Sequence, residues 1–192
     1  DYTEDLKTKI NELREKFEKL FENAINDILR EEKIEKEIIK DKRQIIRDEL
    51  DDTRDIYSLL IEDVMPKNKR TLKKYRRSIN AIQSNLERLM ALHRSIVFMP
   101  NDPQYTEIRK ELFIYLKYLL MLHRQIYNQI VLNINYQDIE KNINKEELRK
   151  KIVLLVKANN DEDAFEIYNV YFEATRINEK LEQLKDEFQL DF

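Results

Sequence analysis

Few side chains in this sequence have the types and spacing for chemistry, and metal binding is the first chemistry to test. The chain carries two histidines, His93 and His123, and no cysteine. Helical bundles build two-metal sites from Glu-x-x-His pairs on facing helices. Met90 stands three residues before His93 and Leu120 three before His123, so neither pair is present. A hairpin turning near residue 101 would separate the two rings by about 14 residues of register, roughly 20 Å at the helical rise. Ligands of one zinc ion lie about 2 Å from it. No metal and no cofactor is therefore expected. Each histidine sits on an apolar seam and reads as a core residue with a hydrogen-bonded ring, while Arg94 and Arg124 beside them are expected to point outward.

Nucleophilic and acid–base chemistry fare no better. Ser78, Ser84 and Ser95 have no base at a recognisable spacing. Carboxylates are abundant, but they lie on faces that read as exposed. Glycine is absent from all 192 residues. Glycine is the residue that lets a backbone take φ > 0 or approach a phosphate closely, so phosphate loops, dinucleotide fingerprints and nucleophile elbows are excluded. The chain is not expected to be an enzyme, and no small-molecule substrate is inferred.

What remains is binding, and charge segregation is its clearest signal. Residues 66–99 hold nine basic residues against one acidic residue, Glu87, a net of +8. Seven of the nine are Lys67, Lys69, Arg70, Lys73, Lys74, Arg76 and Arg77. Residues 1–65 hold thirteen basic and twenty acidic, a net of −7. Two readings follow. If the chain turns at Pro66 and folds back, Asp48, Glu49, Asp51, Asp52, Asp55, Glu62 and Asp63 line up near the basic stretch and the charges fix register, each exposed pair contributing about 0–1 kcal/mol. Alternatively the basic stretch faces DNA or RNA backbone, with binding that weakens steeply with salt and with Tyr75 placed to stack on a base. No helix-turn-helix, zinc or RNA-binding signature accompanies it. The aromatics Phe165, Tyr168, Tyr171 and Phe172 are expected to pack inward, with a ligand pocket or base stacking as the other reading. The acidic, aromatic end at 186–192 reads as a fraying helix end, or as a tail that docks on a partner.

These groups must be carried by helices. Pro66, Pro100 and Pro103 are the only prolines. Leu6, Ile10, Leu13, Phe17 and Leu20 alternate steps of four and three, a narrow helical seam. The seam resumes with Ile46, Leu50, Tyr57, Leu60 and Val64, after Arg30–Gln44, where eleven of fifteen residues are charged. One helix across all of this would be roughly 90 Å long, with a break near residue 31 as the alternative. Further helices are expected over 69–98, 103–133, 145–158 and 162–189. The stretch around 111–122 is apolar nearly all round and so belongs at the centre of a bundle. Asp102 and Pro103, Asn144 with Glu147, and Asn159–Asp161 supply turns and caps. LERLMALHRSI at 86–96 echoes LKYLLMLHRQI at 116–126.

The expected fold is all-α, an elongated antiparallel helical bundle over 66–192 preceded by a long coiled-coil-like helix over 1–65. The leading functional expectation is a non-enzymatic interaction or scaffold protein. It would meet a protein partner, or a second copy of itself, through Leu6, Ile10, Leu13, Phe17 and Leu20. The alternative is a nucleic-acid-binding helical module acting through 67–77. A start at Asp1 rather than Met leaves an extracytoplasmic helical sensory domain as a third class. Absence of cysteine fits a reducing compartment, and the cytoplasm is expected. The longest apolar run, 112–122 interrupted by Lys117, is about half of the roughly 20 residues that span a bilayer, so a membrane partner is not expected.

Overall fold

The computed structural model describes residues 2–30, 35–64, 69–134 and 143–192, and the regular structure among them is helical throughout. Six α-helices appear: α1 (Tyr2–Asn26), α2 (Lys36–Val64), α3 (Lys69–Phe98), α4 (Thr106–Leu132), α5 (Lys145–Asn159) and α6 (Glu162–Glu187). Pro66 and Lys67 lie outside the described residues, as does Ile34.

The core is a four-helix arrangement of α1, α3, α6 and α4 taken in order around a square. Arg14 on α1 meets Asn128 on α4 and Glu22 meets Arg124, so these two helices run antiparallel. α3 and α4, consecutive in the chain, occupy diagonal corners rather than forming the expected hairpin. Their connection crosses one end of the bundle and buries Met99 and Tyr105. Contact across the diagonal comes from Tyr127, whose hydroxyl donates to the carbonyl of Ser78. α2 lies outside the square against α1 and α3, and α5 flanks α6.

The first helix does not leave its seam open to a partner. Leu6, Ile10, Leu13, Phe17 and Leu20 are all buried, none more than 3% exposed, in the same core as Ile82, Leu89, Leu119 and Ile126. The seam that reads as a partner-binding face is covered by α3 and α4 of its own chain. The cause is the break. α1 ends at Asn26, a 3-10 turn follows at Asp27–Leu29, and Arg30 is extended at φ −69°, ψ 129°. A helix end leaves carbonyls without intrahelical donors. Here Arg109 of α4 supplies them, donating to the carbonyls of Ile28 and Arg30. The chain reverses without glycine, and the first seam is free to fold inward.

Other turns also replace glycine. Asn133, Asn160 and Gln189 take left-handed backbone at φ 56°, 43° and 53°. Asn144 caps α5 by accepting from the Glu147 amide at 3.1 Å, and Asp161 caps α6 by accepting from the Ala164 amide at 2.9 Å. Asp102 precedes the 3-10 turn Pro103–Tyr105, yet its side chain makes no capping bond. The end of α6 is closed by two backbone bonds, Leu190 amide to Lys185 carbonyl and Gln189 amide to Asp186 carbonyl. This is a Schellman arrangement around a non-glycine residue. It folds Phe188, Leu190 and Phe192 half-buried onto the core.

Candidate interaction surface

The two histidines are structural joints. Glu18, buried on α1, accepts from Arg14 at 3.1 Å and from His123 Nδ1 at 2.8 Å. Arg124 approaches Glu18 at 3.6 Å and pairs with Glu22 at 3.0 Å, so it turns inward rather than outward as expected. The His123 ring lies between Phe17 and Tyr127, with centroids 4.7 and 4.5 Å away. A shallow cleft of about 330 Å³ opens beside this cluster, lined by Arg14, Glu15, Glu18, Lys19, Glu22, Arg124 and Asn128. Arg14 and Arg124 both approach Glu18, which makes the cluster a tie between α1 and α4.

His93 repeats the device one corner away. Its Nε2 lies 3.2 Å from Asp27, which also accepts from Lys42 at 2.8 Å and pairs with Arg30 at 3.0 Å. Burial pushes the Asp27 carboxyl up, but the hydrogen bonds from His93 and Lys42 and the charges of Lys42 and Arg30 outweigh it and hold it below its ordinary value. Asp27 thus ties the 3-10 turn to α3 and α2. The echoed eleven-residue stretches share this role, since each presents its histidine to a carboxylate from the first thirty residues. Among the described residues, no group of three histidine or carboxylate side chains is placed to hold a metal ion.

The charged faces are on the outside. Lys73, Lys74, Arg76 and Arg77 are exposed, and none pairs with a carboxylate among the described residues. Lys67 falls outside those residues, as do the side chains of Lys69 and Arg70. The expected internal pairing with the acidic residues of α2 does not form among the described residues. The two helices are instead registered by Tyr57, which donates to Asn80 at 2.7 Å, and by Arg54, which pairs with Glu87. That ion pair has the reverse polarity: the cation comes from the acidic helix, the carboxylate from the basic one. Acids of α2 find local partners, with Asp51 on Arg54 at 3.7 Å, Asp52 on Lys16 at 4.0 Å and Asp48 on Gln44 at 2.9 Å. Tyr75 is half-buried against the core.

Each of the two helices also carries a second seam, out of phase with the buried one. On α2, Ile38, Asp41, Ile45, Asp48, Asp52, Asp55, Leu59 and Glu62 alternate steps of three and four, and all eight are exposed. Ile45 and Leu59 are 61% and 62% exposed, well above what one covered face would leave. On α3, Lys73, Arg77, Asn80, Ser84, Glu87, Ala91 and Arg94 alternate steps of four and three on the outer face, exposed or half-exposed. Residues three and four apart share one side of a helix, so these are two continuous strips lying side by side. One is acidic and apolar, the other basic with small residues. Sequence reasoning missed the α2 strip because it followed the stronger seam through Ile46, Leu50 and Leu60, which is the one facing the core.

The aromatics of α6 split. Tyr171 packs inward on Tyr115 of α4 at 6.1 Å, whereas Phe165, Tyr168 and Phe172 are exposed, with Tyr168 and Phe172 stacked at 6.2 Å. The expectation that all four pack inward is corrected, because α6 turns its inner side toward α3 and α4 and leaves those three rings on the opposite side. No described helix is long and apolar enough to cross a membrane. No family model, curated protein or solved structure matches this chain.

Proposed function

We propose that this chain is a non-enzymatic helical interaction protein, working in the cytoplasm, whose contacts run through the outer faces of α2 and α3. One observation carries the reading. Two oppositely charged strips lie side by side at the surface, and their charges are not spent on each other. Exposed ionic faces contribute little to folding but steer and select partners. The α1 seam, expected to be that surface, is buried in the core, which favours the outer faces of α2 and α3 for the contact. The absence of cysteine supports the cytoplasmic placement.

A second reading is favoured by the exposure of Lys73, Lys74, Arg76 and Arg77: a polyanion such as DNA or RNA backbone meets the basic strip. Against it stands the acidic strip alongside, which repels phosphate. The test has two arms, sedimentation velocity of the chain alone and titration of labelled DNA and RNA, both run at low and at high salt. Salt-sensitive assembly in at least one arm, lost in Lys73→Glu, Arg77→Glu, is expected. A chain that neither associates nor binds nucleic acid at low salt contradicts the reading.

A further inference from the structure

We infer that the partner of these two strips is a second copy of this chain. The inference rests on the interaction reading above and goes further by naming the occupant and its geometry. A two-fold axis running along the bundle, between α2 and α3, lays α2 of one copy over α3 of the other. The same contact is made twice, as a closed two-fold interface requires. Rotation about such an axis preserves height along the bundle. Heights within one copy, fixed by Tyr57 opposite Asn80, therefore also describe the contact between copies.

The heights match the chemistry. Counting in opposite directions from that pair, Glu62 falls level with the turn between Lys73 and Arg77. Asp48 and Asp52 bracket the level of Arg88. Ile45 falls level with Ala91, within about one residue's rise of 1.5 Å. Ile45 and Leu59 thus meet small or polar side chains, and Glu62, Asp48 and Asp52 lie level with cations, Arg88 standing beside the strip. Asn80, Ser84 and Ala91 leave room for Leu59, Asp55 and Ile45 where bulky side chains would hold the helices apart. The carboxylate that would oppose this, Glu87, is already engaged by Arg54 of its own chain. A polyanion would meet the basic strip but would be repelled by Asp48, Asp52, Asp55 and Glu62 beside it. A second copy complements both strips together.

Charge exchange tests this with variants confined to exposed positions, each checked for an unchanged helical spectrum. Lys73→Glu, Arg77→Glu makes both strips acidic; Asp52→Lys, Asp55→Lys cuts the acidic strip from five negative charges to a net of one. In sedimentation velocity at 50 mM salt the wild type is expected as a dimer that dissociates at 500 mM. Each variant alone is expected to dimerise at least tenfold more weakly. Their equimolar mixture should form a heterodimer through the unaltered α2 strip of the first variant over the unaltered α3 strip of the second. A wild type that stays monomeric at 50 mM salt overturns the inference. If that monomer binds a DNA or RNA duplex and loses it in Lys73→Glu, Arg77→Glu, the interaction reading stands with a polyanion as partner. If it binds neither, both fail. A wild-type dimer unaffected by either variant places the interface elsewhere and overturns both.

Discussion

Removing the carboxylate of Glu18 should cost the fold more than any surface change. Glu18 is buried and accepts from Arg14 at 3.1 Å and from His123 at 2.8 Å. Arg14 is itself only 5% exposed, with its other bonds to Asn11 and Asn128. Glu18→Ala orphans one guanidinium N–H and one ring N–H in the interior. An unsatisfied buried donor costs about 1–3 kcal/mol and more when charged. Two of them give about 3–5 kcal/mol, the range found on breaking a buried ion pair. Against a total stability of about 5–15 kcal/mol for a domain, the variant should fold but melt early. Denaturation in guanidinium measures the loss, with an unchanged slope showing that the native and unfolded states are otherwise alike. Arg14→Met, Glu18→Leu removes both charges and should cost less than the sum of the single changes. A loss below about 1 kcal/mol for Glu18→Ala, or strict additivity of the pair, would refute the reasoning.

Three further outcomes follow from the same packing. Phe17→Ala opens a cavity beside His123 and should cost about 3–5 kcal/mol, with the oligomeric state at fixed salt unchanged; loss of dimer without loss of stability would return the first seam to the surface. The Asp27 carboxyl is held below its ordinary value of 3.8, so its contribution is complete above that pH and is lost as pH falls through the lower folded value. Asp27→Asn should therefore flatten the acid limb of stability against pH, and an unchanged limb would show that the His93 and Lys42 bonds do not hold that charge. Gln189 occupies a left-handed position at φ 53° that costs a residue with a Cβ about 1–2 kcal/mol. Gln189→Gly should raise the melting temperature by about 2–4 °C, the shift expected for roughly 1 kcal/mol in a chain of this size, and a fall would contradict the strain.

The helices were legible because their seams and caps are local. Asn144 with Glu147, Asn160 and Asp161 stand where the sequence puts them, and the helix over 69–98 is found within its expected bounds. The bundle's order was not legible. Nothing in residues 99–105 says whether the chain turns back beside itself or crosses to the diagonal corner. The role of α1 was hidden for a related reason. A four–three seam can be buried by a partner or by its own chain, and the deciding contacts, Arg109 on the carbonyls of Ile28 and Arg30, join residues 79 and 81 apart. The charge gradient was read correctly as segregation. Its pairing with α2 does not form among the described residues, where Asp52, Asp48 and Asp51 find Lys16, Gln44 and Arg54 instead.

Cysteine cross-linking tests the assigned contact most directly, because the chain contains no cysteine of its own. Ile45→Cys and Ala91→Cys are made in separate chains, so neither can cross-link internally. The two are mixed at 50 mM salt and mildly oxidised. A disulfide-linked dimer joining position 45 of one chain to position 91 of the other is expected, forming faster than 45–45 or 91–91 products and suppressed at 500 mM salt. Equal formation of all three products, or no salt effect on the mixed one, would contradict a dimer built from the α2 and α3 strips.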